Sequence, residues 1–176
     1  MEQKTIQVYK YEELSDDAKE TALNSHIESN DFDFLEESLT EYLKELLTEA
    51  KIDGEAELSY SLSCCKGDGV SFTGNFEYKG VNISVTRNNS HYVHSNSVDI
   101  EAEADEDDDD DLKNDLIEAV TDEAEAEFKE IFKEICDKIE KVGYSEIEYQ
   151  NSEESFKENC EANEYTFREN GEMENI

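Results

Sequence analysis

Residues 55–64 read Glu-Ala-Glu-Leu-Ser-Tyr-Ser-Leu-Ser-Cys. The alternation is strict. Ala56, Leu58, Tyr60, Leu62 and Cys64 fall on one side, and Glu55, Glu57, Ser59, Ser61 and Ser63 on the other. A period of two is that of a half-buried strand. Lys66-Gly-Asp-Gly69 is then a turn signal. Val70–Lys79 carries Val70, Phe72, Phe76 and Tyr78, interrupted by Gly74, which is read as a bulge. Lys79–Gly80 turns the chain again. Val81, Ile83 and Val85 alternate, and after a polar loop so do Val98, Ile100, Ala102 and Ala104. Four strands with short connections predict an antiparallel meander with one wet face.

Helical patterns flank this centre. Ser15 is placed to cap a helix carrying Ala18, Ala22, Leu23 and Ile27. A second helix, from about Asp33, has the stripe Leu35, Leu39, Tyr42, Leu43, Leu46 and Leu47. A long helix is expected over Leu112–Val142, on Leu112, Leu116, Val120, Ala124, Phe128, Ile131, Phe132, Ile135, Ile139 and Val142. Gly143 is read as its end. Short strands are expected at Thr5–Tyr11, Glu146–Tyr149 and Glu164–Arg168, and Ser152 caps a last helix with Phe156 and Cys160. In the first strand Ile6 and Val8 face inward, with Tyr9 and Tyr11 on the other side. The fold class is therefore α+β: one domain over residues 1–176, with helices on one sheet face and a frayed C-terminal tail. Phe128, Ile131, Phe132 and Ile135 are dense enough to serve as core or as the seam of a homodimer.

Charge is the strongest compositional feature. Acidic residues number 49 against 15 basic, a net charge of −34 over 176 residues. A compact chain of this length is about 40 Å across. Duplex DNA of that length carries about 24 charges. A surface this negative repels nucleic acid and anionic membranes and attracts basic clefts. Its densest part is the run Asp105, Glu106, Asp107, Asp108, Asp109, Asp110 and Asp111. Carboxylates there favour the positive end of the following helix. The acid is not confined to that end, however. Glu118, Asp122, Glu123, Glu125, Glu127, Glu130 and Glu134 are assigned to the outer face of the long helix. Glu36, Glu37, Glu41 and Glu45 lie on the second helix, and Glu55, Glu57, Asp99, Glu101 and Glu103 on the wet face of the meander. Repulsion among them costs stability without a structural return, which favours a functional reason for them.

Other chemistries fit poorly. Asp105, Asp107 and Asp109 have the spacing of the first EF-hand ligands, but Asp110 stands where glycine is required and Leu116 where glutamate is required. His91 and His94 lack companion ligands. Gly67-Asp-Gly69 lacks the Lys-Ser/Thr of a phosphate loop and precedes a strand. Ser71 and Cys64 have no evident base. Cys64, Cys65, Cys136 and Cys160 match no zinc spacing. No apolar leader opens the sequence, so reduced thiols and a bacterial cytoplasmic location are expected. No enzyme activity, metal or cofactor is expected.

Three stretches carry a resemblance. They are Val8-Tyr-Lys-Tyr-Glu-Glu-Leu-Ser-Asp-Asp-Ala-Lys19, Ser61-Leu-Ser-Cys-Cys-Lys-Gly-Asp-Gly-Val-Ser-Phe-Thr-Gly74 and Asn163-Glu-Tyr-Thr-Phe-Arg-Glu-Asn-Gly171. They resemble a family of small acidic proteins encoded by phages and mobile elements of bacteria, some labelled antitoxins. Similar sequences occur among Cas9-inhibiting anti-CRISPR proteins. The resemblance implies a phage-type anti-defence protein and carries over no functional residues.

Charge and resemblance together give the sequence-level expectation. It is a DNA mimic that blocks the basic nucleic-acid cleft of a bacterial defence nuclease, first of all Cas9 with its guide RNA. The expected partner-binding residues are Asp105–Asp111 with Asp122, Glu123 and Glu130. The alternative is an antitoxin-like or adaptor protein that binds one specific partner, with acidity serving solubility.

Overall fold

The computed structural model describes residues 7–32, 34–63, 65–89, 91–103 and 111–174, the side chains of 111–115 excepted. Within what the sequence reads as one domain, the chain divides into two compact units. One is Phe34–Tyr144. The other joins Met1–Asp33 to Ser145–Ile176.

The Phe34–Tyr144 unit holds helix α2 (Leu35–Glu49), strands β1 (Asp53–Ser61), β2 (Gly69–Tyr78), β3 (Val81–Arg87) and β4 (Val98–Glu103), and most of helix α3 (Asp111–Gln150). The strands form one antiparallel sheet in the order β1-β2-β3-β4, the expected meander. Its covered face is made by alternate residues: Val70, Phe72, Phe76, Tyr78, Val81, Ile83 and Val85 are all buried there. Helix α3 lies on this face through its aromatics. Phe132 meets Phe72 at 4.4 Å between ring centroids, and Phe128 meets Phe76 at 5.8 Å. The apolar stripe of α2, from Leu35 to Leu47, is buried as expected. Phe128, Phe132 and Ile135 are thus core of their own chain, which removes them as a dimer seam.

Two glycines carry more than the sequence indicates. Gly74 is no bulge, because the β1–β2 register runs unbroken through Ala56↔Gly74. Its φ is +151°, and a Cβ there would strike the Glu55 carbonyl oxygen and press on the Phe76 ring. The residue marks a close approach of two backbones. Gly143 does not end α3. The helix runs on to Gln150, and a Cβ at Gly143 would collide with Leu62 and crowd Leu39. The expected strand at Glu146–Tyr149 is therefore helical. Half-buried Tyr144 and Ile147 are three apart, and Gln150 donates to Glu146 at 2.9 Å across one turn. At the other end of the stripe, Leu116 and Val120 are exposed.

The other unit contains a 3-10 turn (Tyr11–Glu13), helices α1 (Asp16–Ser29) and α4 (Glu153–Ala162), the hairpin β5 (Thr166–Phe167) with β6 (Met173–Glu174), and the last turns of α3. Ser15 and Ser152 cap α1 and α4, each accepting a backbone N–H three residues on. The core gathers Tyr11, Leu14, Ala18, Ala22, Phe156, Cys160 and Phe167. Ile27 of the expected α1 face is exposed. The expected strand at Thr5–Tyr11 shrinks, among the described residues, to one bridge between Tyr9 and Phe167. Tyr11 points inward rather than outward. Its ring meets Phe156 edge-on at 5.2 Å and its hydroxyl donates to Glu153 at 3.3 Å. Burial, then the Glu153 charge, push its pKa up to about 12.

Candidate protein-interaction surface

The solvent face of the sheet follows from the same alternation. Cross-strand rows read Asp53, Glu77, Asn82, Glu103 and then Glu55, Asn75, Ser84, Glu101. Strand order puts β1 and β4 at the two edges. One edge presents Asp53, Glu55 and Glu57, all exposed. The other presents Asp99, Glu101 and Glu103, also exposed. Between them, Glu77 apart, lie uncharged hydrogen-bonding side chains: Thr73, Asn75, Asn82, Ser84 and Thr86. Arg87, at the end of β3, is the single cation within these four strands. With strands about 4.8 Å apart, the two acidic edges are roughly 14 Å apart, and successive carboxylates along an edge about 6.8 Å apart.

Helix α3 adds a second acidic surface in this unit. Asp122, Glu123 and Glu130 are exposed, as are Glu118 and Glu134. Glu123 and Glu130 share one face, two turns apart, and Asp122 sits one step round the helix. Glu125 and Glu127 depart from the expected outer face and turn to the sheet. Glu125 pairs with Lys129 and accepts the Ala102 N–H at 2.9 Å, satisfying a donor of edge strand β4. Lys129 and then that N–H hold its carboxyl below the usual range. Glu127 pairs with Lys79 and accepts from the Tyr78 hydroxyl at 3.2 Å, and Lys79 holds its pKa down. Of the run Asp105–Asp111, residues 105–110 lie outside the described residues. Asp111 opens α3, and its side chain is not described.

The glycine-aspartate turn has a structural duty. Asp68 accepts from the Ser61 and Ser63 hydroxyls at 2.7 and 2.8 Å and from the N–H groups of Ser63 and Cys65 at 2.9 and 2.6 Å. These bonds, that of Ser61 first, pull its pKa to about 2. A depressed carboxylate contributes stability above its unfolded pKa, so this staple holds at neutral pH. It is lost as pH falls from the ordinary aspartate range through about 2. The carboxylate is fully occupied in closing the β1–β2 connection.

Ser71 is fully buried, and its Oγ makes no hydrogen bond among the described residues. His94 accepts the Asn96 N–H through Nδ1 at 3.1 Å and stacks on Tyr92. Burial pushes the Cys136 thiol up, and burial followed by the Glu161 charge raises Cys160 to about 11. Both stay as thiols. Cys65 is exposed, and Cys64 lies outside the described residues. Among the described residues no group of three or more His, Cys, Asp or Glu is placed to hold a metal ion, and no helix is long and apolar enough to cross a membrane.

The reading of the sequence names most of the exposed carboxylates of the sheet and of α3 but not their arrangement. Asp53 and Glu77 share a cross-strand row that only the β1–β2 register reveals. Comparison with known protein families, curated proteins and solved structures returns no match.

Proposed function

We propose that this chain is a DNA-mimicking inhibitor of a bacterial defence nuclease, with a Cas9-type effector and its guide RNA as the first target to test. The observation that supports it best is the solvent face of the sheet. Two lines of carboxylates roughly 14 Å apart border a floor whose side chains, Glu77 apart, are uncharged donors and acceptors. The DNA major groove is about 12 Å wide, bordered by two lines of phosphates above hydrogen-bonding base edges. Cas9-type effectors hold nucleic acid in a positively charged channel and read a short duplex motif with major-groove arginines. A carboxylate can take such a guanidinium bidentately. The exposed carboxylates of α3, Asp122, Glu123 and Glu130, form a second negative surface in the same unit. Inhibition then needs occupancy alone, with no bond made or broken.

The test is capture of a Cas9–guide RNA complex on the tagged protein, followed by challenge with duplex DNA and with high salt. Release by both is expected, because charge-driven contacts weaken steeply as salt screens them. Replacing Asp107–Asp111 with Asn is expected to weaken capture while circular dichroism stays unchanged. Capture that survives both challenges would instead support the adaptor or antitoxin-like reading, and failure to capture removes Cas9 as the target.

A further inference from the structure

We infer that a groove beside the N-terminal part of α3 docks a basic amphipathic segment of a partner protein. Leu116 and Val120 lie one turn apart on α3, 65% and 48% exposed. With Ile117 they form one wall of a groove of about 370 Å³. The turn residue Gly80, Val81 at the start of β3 and Glu103 at the end of β4 form the other. Single exposed apolar residues are ordinary. An apolar pair walling a concavity and rimmed by charge marks a contact site.

Charge decides the occupant. Glu103 lines this groove, and exposed Glu123 follows Val120 by three residues on the neighbouring side of α3. The one lysine lining it, Lys79, is bound to Glu127. A second copy would bring another −34 charges to the same place, and like charges juxtaposed are strongly unfavourable. The complementary ligand has a few apolar side chains flanked by Lys or Arg, the pattern of an amphipathic helix laid in a groove. This contact stands apart from mimicry at the sheet face and requires no nuclease.

The experiment uses the full chain and three labelled peptides: a designed Leu/Lys amphipathic helix, its scrambled sequence, and an oligolysine of equal charge. Binding is followed by fluorescence anisotropy at low and high salt. The amphipathic peptide is expected to bind about tenfold or more tightly than the scrambled one, and to keep part of that margin at high salt. The double variant Leu116→Ser, Val120→Ser is expected to lose the margin and still bind oligolysine as before. Both side chains are exposed, so the fold tolerates the change. Equal binding of the amphipathic and scrambled peptides, or a margin that survives in the double variant, overturns the proposal. No nuclease is present, so failure here is separate from failure of Cas9 capture.

Discussion

On the covered face of the sheet, Phe72 and Phe76 meet Phe132 and Phe128. One residue along the same strand, on the solvent face, stand Thr73 and Asn75, with acidic edges on either side. The two faces use the same backbone and the same register, and a slip of one residue would exchange them. The covered face is constrained by volume, because its side chains must fill the space under α3. The solvent face is constrained less, although Asn88 donates to Asp99 at 2.9 Å and Ser71, two residues before Thr73, is fully buried, and it holds carboxylates close enough to repel one another. On the proposed function, stability and interaction are written on alternate residues of one sheet.

The largest effect is expected from the covered face. Phe128 is fully buried, stacks on Phe132, lies tilted against Phe76 and meets Tyr78 edge-on. Phe128→Ala removes those contacts and leaves a cavity, at a cost of about 3–5 kcal/mol. A domain is stable by about 5–15 kcal/mol, so the variant should unfold at much lower urea. A loss below about 1 kcal/mol would mean that α3 does not clamp the sheet.

A smaller effect is expected where the backbones of the two faces meet. Gly74→Ala places a Cβ against the Glu55 carbonyl at a φ of +151°. Strain and local overpacking should cost about 1–3 kcal/mol. Amide exchange in β1 should quicken more than in β3, since β1 is the strand that must shift. Equal quickening in both strands would show that the whole sheet, and not the β1–β2 approach, absorbs the strain.

This contrast also explains what could be read in advance. The meander, α2 and the capping serines were legible because each depends on a local period or a local hydrogen bond. Gly143 and the residues after it were not. A glycine before an alternating Glu146–Tyr149 looks like a helix end, and only the approach of Leu62 and Leu39 gives it another purpose. Tyr11 was assigned outward because its burial depends on Phe156 and Phe167, far along the chain. Glu125 and Glu127 look like any other outward glutamates until the Ala102 N–H and Lys79 are in place. Of the acidic surface, the residues were legible and so, through the meander, were the end strands that bear most of them; Asp53 and Glu77 were not, because their place on that face depends on cross-strand register.

The smallest effect on stability, and the sharpest test of the comparison, belongs to the solvent face. Two unit charges about 7 Å apart in water repel by roughly 0.6 kcal/mol before salt screening. The Debye length is about 10 Å at 0.1 M salt. Neighbours along one edge therefore feel each other, whereas the two edges, roughly 14 Å apart, are largely screened from one another. Glu101→Gln with Glu103→Gln should then change stability by no more than about 0.5 kcal/mol, toward greater stability, with the gain shrinking as salt is added. Adding Glu55→Gln and Glu57→Gln on the other edge should contribute separately, as distant sites do. A loss of stability in either pair would mean that these carboxylates serve the fold, and the division of labour between the two faces would fail. If stability holds while Cas9 capture weakens with each pair, the acid on this face has no role left except the partner.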